Sequence, residues 1–238
     1  MIGISDLHTH TLASTHAYST ILENARSASE KKLLYLASTD HGPGMEDAPR
    51  RWHFANLKAI PDMLYGVRIL KGAEANILPG GKLDLDEDLL QGLDWVVASI
   101  HESVYPPENK KHNTEAYCRV LSNPHVDMLG HIALDAFPFD EDAVLNTAYK
   151  YHKIIEIKGS FSSADMRQAY RRLAESCYKH RVFVTVTSDA HFAGNIGKLE
   201  NGMMLLREID YPEELIIGAS KDTMENFLSL RKKHTSQL

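Results

Sequence analysis

The sequence holds only two cysteines in 238 residues, Cys118 and Cys177, and they form no CxxC pair. A disulfide framework is therefore not what holds the chain together. Both cysteines fall in stretches that read as helices, so free thiols in a reducing compartment are expected. No apolar run is long enough to span a membrane. The opening residues reach polar, histidine-bearing positions at once. No cleavable leader and a cytoplasmic location are the expectation. Linkers rich in Pro, Gly or Ser, internal repeats and low-complexity segments are missing too, so a single domain over residues 1–238 is the simplest organisation. Positive charge is also short: 26 Lys and Arg stand against 32 Asp and Glu, a formal net charge of -6. A general nucleic-acid binder needs a basic surface facing phosphates, so nucleic acid is not an expected partner. A locally positive pocket is still allowed, because bound cations do not enter that count.

What is present suits one α/β domain of barrel size. The apolar content of 43% supports a large core without disulfides. Short apolar, β-branched runs alternate with longer amphipathic stretches, the pattern of a parallel sheet with crossover helices. Strands are expected near residues 4–7, 34–38, 67–75, 95–100, 126–130, 154–157 and 182–187. Helices are expected near 20–32, 52–64, 114–122, 141–152, 164–180 and 223–233. Asp140 and Asp165 suit helix starts, where a short polar side chain accepts from free first-turn amides. Seven strands suggest a closed or nearly closed barrel, for which eight is the ordinary count. Ile216 and Ile217 are either an eighth short strand or a packed loop. Two long connections, 42–51 and 103–113, follow strands, and so fall on the C-terminal face where barrel active sites form.

Thirteen histidines are many for this length. Strand one ends in Asp6-Leu7-His8-Thr9-His10, with His16 soon after. Strand two ends in Asp40-His41, strand three carries Glu74, strand four ends in His101-Glu102, strand five in His131, and strand seven in Asp189-Ala190-His191. His8 and His10 are two apart on a strand and share a face. Imidazole nitrogens and carboxylate oxygens suit zinc, manganese or iron. A lone strand-end histidine is more often structural. Seven histidines and two carboxylates at matching ends read as a metal site holding more than one ion. His112, His125, His152, His180 and His234 read as surface residues. His53, between Trp52 and Phe54, is either a substrate-lid residue or a helix residue packed on the rim.

These stretches resemble the PHP (polymerase and histidinol phosphatase) superfamily, most closely its YcdX-like phosphatase branch. The resemblance is carried by Asp6-Leu7-His8-Thr9-His10, by the run from Ala13 to Thr20, by Thr39-Asp40-His41-Gly42-Pro43 and by Met45-Glu46-Asp47-Ala48-Pro49. Trp52-His53-Phe54, Glu74-Ala75-Asn76-Ile77 and Ser188-Asp189-Ala190-His191 extend it over nearly the whole chain. It implies a distorted (β/α)7 barrel with three divalent ions, zinc first among them, at the C-terminal face. His8, His10, Glu74 and Asp189 would hold the first ion. Glu74 would bridge to a second, held by His101 and His131. His16, His41 and His191 would hold the third. The chain departs from the branch at His131-Ile132-Ala133, where His-Pro-Gly is usual, and at Lys158, where an Asn-rich turn is usual. Both departures bear on substrate identity.

The implied activity is a phosphomonoester hydrolase of the metal-dependent type, with a metal-bound hydroxide as nucleophile and a small phosphorylated substrate. Three divalent ions would outweigh Glu74 and Asp189, and that surplus favours a phosphate dianion over a neutral amide. Glu74, Asp189 and His191 would act through the metals. Lys158 is either a phosphate contact or a solvated loop lysine. Asp6 and Asp40 either orient ligand histidines or make strand-end hydrogen bonds. His53, Glu102 and a metal-bound water are the candidates for protonating the leaving group. The rivals are an amidohydrolase, a metal-dependent nuclease or phosphodiesterase, and a non-catalytic metal-binding regulator. Oligomeric state is open.

Overall fold

The computed structural model describes residues 3–46, 48–133 and 136–235. Asp47, in the second loop motif, and the His234 side chain lie outside the described residues.

Seven parallel strands appear where the apolar runs stand. They are β1 (Ser5–Asp6), β2 (Tyr35–Ser38), β4 (Val67–Leu78), β6 (Trp95–Ser99), β7 (Met128–Leu129), β8 (Ile154–Lys158) and β9 (Phe183–Thr187). They pair in chain order as a nearly closed barrel. Two short strands, β3 (Met63–Leu64) and β5 (Lys82–Leu83), pair antiparallel with the two ends of β4. The helices are α1 (Ile21–Glu30), α2 (Arg51–Asn56), α3 (Glu87–Gln91), α4 (Lys110–Leu121), α5 (Glu141–Lys150), α6 (Ala164–His180), α7 (Glu200–Glu208) and α8 (Lys221–Thr235).

Local chemistry sets most helix starts. Thr20 and Glu23 form a reciprocal capping box on α1. Asp140 caps α5 by accepting from Ala143 N. Ser163, not Asp165, caps α6, and Asp165 instead lends its charge to the first turn. Asn109 starts α4 four residues before the expected Thr114 by accepting from His112 N. The helix expected over 52–64 stops early. It runs to Asn56, tightens into a 3-10 turn at Leu57–Ala59, and gives way to extended backbone at Ile60. Pro61 follows, and the residue before a proline is driven out of the helical region.

The barrel closes between its first and last strands. At the top, Thr9 pairs with Ala190, and His10 N donates to Ala190 O at 2.9 Å. At the bottom, Ile217 N donates to Val184 O, and Ile4 N to Gly218 O, each at 2.8 Å. Ile216 and Ile217 are thus a single-bridge filler in the seam and not an eighth strand. Gly218 sits there at a φ of +82°, and a Cβ on it would meet Ser5 Oγ at 1.8 Å. Asp6 crosses the seam as well, accepting from Ser188 N at 3.0 Å and Gly197 N at 2.8 Å.

The core has two parts. One lies between the strands and the outer helices. The other fills the barrel, with Leu7, Tyr35, Leu70, Trp95 and Met128 packed against Met224, Phe227 and Leu228 of α8. The last helix therefore plugs the barrel end opposite the candidate site. Phe227 stacks edge-on to Trp95 at 5.7 Å. Phe227→Ala is expected to destabilise by about 3–5 kcal/mol in urea unfolding, the usual cost of emptying a buried aromatic site. A loss under about 1 kcal/mol, the range of ordinary surface changes, would remove α8 from the core.

Candidate metal centre

All nine residues singled out at strand ends meet at one rim. Glu74, fully buried on β4, stands at the middle. Its Oε1 lies 3.0 Å from His131 Nε2, 3.2 Å from His8 Nε2 and 3.5 Å from His101 Nε2. Its Oε2 lies 2.7 Å from His41 Nδ1 and 3.6 Å from His10 Nε2. Asp189 Oδ1 lies 3.1 Å from His10 Nε2 and 3.6 Å from His8 Nε2. His16 arrives from the loop after β1, its Nε2 3.2 Å from that of His41 and 3.0 Å from that of His191. His131 and Asp189 hold positive φ values of 33° and 50°. Non-glycine residues avoid that region, so the surrounding structure must hold both in place.

Charge is concentrated here. Burial works to raise the Glu74 pKa, but the imidazoles of His8, His101 and His41 overcome it and hold the carboxyl well below its usual range. Burial opposes ionisation of Asp189 too, and His8, Lys158 and His10 hold it well below as well. Burial takes His10 down to about 4, against the pull of Asp189 and Glu74. Burial likewise lowers His101 to about 4. Imidazoles so lowered are neutral near pH 7, the form that ligates metals. His8 goes the other way: burial is outweighed by Glu74, Asp189 and Glu156, and it is held well above its ordinary value.

Several features fit a group of cations. His8 Nε2, His41 Nδ1 and Glu74 Oε2 are buried and, though close to one another, make no aligned hydrogen bond. Such atoms are costly unless something satisfies them. The Nε2 atoms of His41 and His191 both point at that of His16, which is the convergence of a ligand set. Ligand-compatible atoms converge in three groups: His10, His41 and His191; His8, His10 and Glu74; and His41, Glu74 and His101. The far ring nitrogens are anchored, as metal-binding histidines require. His8 Nδ1 meets Glu156 Oε1 at 2.7 Å, and His101 Nδ1 meets Asn76 Oδ1 at 2.7 Å. His10 Nδ1 meets Ser14 Oγ at 3.3 Å, and His191 Nδ1 meets the Asp189 carbonyl at 3.0 Å.

Glu156 is the site residue that motif reading passes over, and Asn76 stands in a quoted motif without a role. Glu156 is fully buried on β8, and its carboxylate also accepts from Thr187 Oγ1 and His131 N. Burial is opposed by His8 and Lys158, and its pKa falls to about 2. Its one sequence signal is a carboxylate inside the apolar run Ile154-Ile155-Glu156-Ile157. Glu156→Gln is expected to cost about 10–100-fold in metal affinity or turnover, the usual effect of loosening a ligand's outer partner. Metal titration checks it, and unchanged affinity would reduce Glu156 to a packing role.

The remaining expectations sort out by burial. Lys158 is no solvated loop lysine: its side chain is 14% exposed and its Nζ donates to Asp189 Oδ2. It ends β8, and a strand's C-terminal end points at the site. Burial works against its charge, but Asp189 and Glu156 keep its pKa raised. His125 is not a surface residue: it is 4% exposed, with Nε2 3.4 Å from Glu87 Oε1. His112 and His152 are exposed and His180 is half-buried. Asp6 binds the seam and not a histidine. Asp40 instead holds Ser14, which touches His10. His53, on α2, places Nε2 3.4 Å from Asp40 Oδ2. Glu102 is exposed beside His101. Cys118 and Cys177 are free, as expected. Among the described residues, no helix is long and apolar enough to cross a membrane.

The chain is similar to known proteins in sequence and in fold. The chain is 41% identical to a probable phosphatase of Caldanaerobacter subterraneus over 97% of its length and 92% of the relative's. It is 41% identical to a probable phosphatase of Photobacterium profundum over 98% of its length and 97% of the relative's. The fold is similar to that of histidinol phosphate phosphatase from Lactococcus lactis, solved with zinc, L-histidinol and phosphate. That match has a TM-score of 0.67 at 18% identity, covering 89% of this chain and 95% of the other. A family model described as PHP domain matches residues 6–187, from the first barrel strand to the last. With that span matched and its histidines gathered at one rim, the chain belongs to the PHP family.

Proposed function

We propose that this protein is a metal-dependent phosphomonoester hydrolase working through a trinuclear centre. The observation that carries the reading is the crowd of buried atoms on His8, His41 and Glu74 that close on one another without aligned hydrogen bonds, beside the opposed nitrogens of His16, His41 and His191. His8, His10, Glu74 and Asp189 are assigned to one cation, Glu74, His101 and His131 to a second, and His16, His41 and His191 to a third. Zinc is the first choice, and manganese or iron suits the same donors. Divalent cations held there supply charge for phosphoryl oxygens and lower the pKa of water toward about 7, so that hydroxide is available near neutrality.

The chain's own groups do the rest. Lys158 brings a fixed positive charge beside Asp189, where a phosphoryl oxygen can accept from its ammonium. His53 is assigned to substrate contact. The two relatives' description as probable phosphatases supports the reaction class. The phosphate and zinc of the Lactococcus lactis protein support the cargo and the metal by analogy of fold. A single domain over residues 1–238 and a cytoplasmic location belong to the same proposal. The net charge of -6 counts against a nuclease.

Initial rates on a chromogenic phosphate monoester and the matching diester, with zinc and then manganese, test the reading. Monoester turnover well above diester turnover is expected. Diester preference would replace the reading with a phosphodiesterase. No turnover on either with metals bound would favour a non-catalytic role.

A further inference from the structure

Leaving-group protonation has no owner among the residues assigned so far. We propose that His53 is the general acid of this site and that Asp40 is the residue positioning it; the inference rests on the phosphatase reading above. Asp40 is buried, 1% exposed, and four donors fix its carboxylate. Oδ1 accepts from Thr11 N at 2.8 Å, Ser14 Oγ at 2.8 Å and Ser14 N at 3.3 Å, and Oδ2 accepts from Thr11 Oγ1 at 2.7 Å. The ionisable partner facing that carboxylate is His53, whose Nε2 stands 3.4 Å from Oδ2. The nitrogen is buried while 27% of the side chain reaches solvent, so the exposed part of the ring is the part turned away from Asp40. A carboxylate behind an imidazole fixes the orientation of the ring. Such contacts are long before substrate arrives and tighten with it.

Asp40 is linked to the centre through Ser14. Ser14 Oγ, which donates to Asp40, also lies 3.3 Å from His10 Nδ1 and 3.1 Å from His41 N. Asp40 itself precedes His41, and its carbonyl accepts from Glu74 N at 3.0 Å. Phe54 is buried in the core and meets the His53 ring edge-on at 5.1 Å, which anchors this turn of α2. Glu102, the other side-chain candidate, is exposed on the turn after β6.

In the step, the phosphorus–oxygen bond to the leaving group breaks and its electron pair stays on the leaving oxygen. The proton on His53 Nδ1 moves to that oxygen. Water supplies the new phosphorus–oxygen bond, and its lost proton goes to solvent, from which His53 is protonated again. The sum is ester plus water to alcohol plus phosphate.

A leaving-group series separates this role from a structural one. Rates on 2,4-dinitrophenyl, 4-nitrophenyl, phenyl and alkyl phosphates are compared for the zinc-loaded wild type, His53→Gln and His53→Ala. Both variants are expected to slow phenyl and alkyl esters by about 10²–10⁴-fold. Dinitrophenyl phosphate, whose leaving oxygen needs no proton, should stay within a few-fold, with metal content unchanged. A uniform loss across the series, a loss of metal, or no loss at all overturns the role of His53 while leaving the phosphatase reading intact. A wild type that cleaves no monoester overturns that reading and this one with it.

Discussion

Glu74→Gln is expected to lose bound metal and turnover together. Glu74 faces five imidazoles within 3.6 Å, through both of its oxygens. The amide is the same size, so packing survives. It lacks the negative charge, however, and turns one oxygen into a donor aimed at histidine nitrogens. Weakening a ligand's outer partner already costs about 10–100-fold. Removing the charge of the proposed shared ligand should cost more than about 100-fold in turnover, with at least one cation missing by elemental analysis. Full activity with a full metal complement would sink the ligand assignment for Glu74. Loss of activity with all cations still bound would give Glu74 a direct chemical role instead.

Stripping the protein with a chelator is expected to abolish turnover and lower thermal stability, both restored by zinc or manganese. A cation held at about a hundred times its dissociation constant stabilises the folded state by about 2.7 kcal/mol. In a domain of this size that corresponds to about 5–10 °C in Tm. The effect should be large here because the site joins β1, β4 and β9. Without cations, the buried atoms of His8, His41 and Glu74 crowd together without aligned hydrogen bonds to satisfy them. A chelated protein that keeps both its Tm and its activity would remove metals from the account altogether.

The fold was legible where local signals agree with the global arrangement. Apolar runs bounded by charged stretches located all seven barrel strands. HxH on β1 and the DxH of Asp189 and His191 located both sides of the seam. Most of the nine rim residues were readable because they follow a strand, and the C-terminal ends of barrel strands share one rim; Glu74 lies within β4 and His16 in the loop after β1. Two kinds of feature stayed hidden. Glu156 sits inside an apolar strand, and only the spatial neighbourhood of β8 and β1 reveals that it holds His8. Helix α3 spans five residues, too few to show a period, and α7 lies in the tail whose course depends on seam contacts. Pro61 was a readable stop within the 52–64 stretch, and its effect on Ile60 outweighed the helical pattern there. Lys158 read equally as a phosphate contact or a solvated loop lysine, and the pairing of β8 with β9 brings it onto Asp189.

The seam between β1 and β9 has a consequence for biosynthesis. His8, His10 and His16 leave the ribosome first, while Asp189 and His191 come nearly two hundred residues later. At roughly 5–20 residues per second, the earliest histidines wait on the order of ten seconds or more for their partners. A partly made chain therefore displays imidazoles without the carboxylate and bridge that close around them. Selective metal capture becomes a late event, coupled to the longest-range contact in the molecule and to the slow step that such contacts impose on folding.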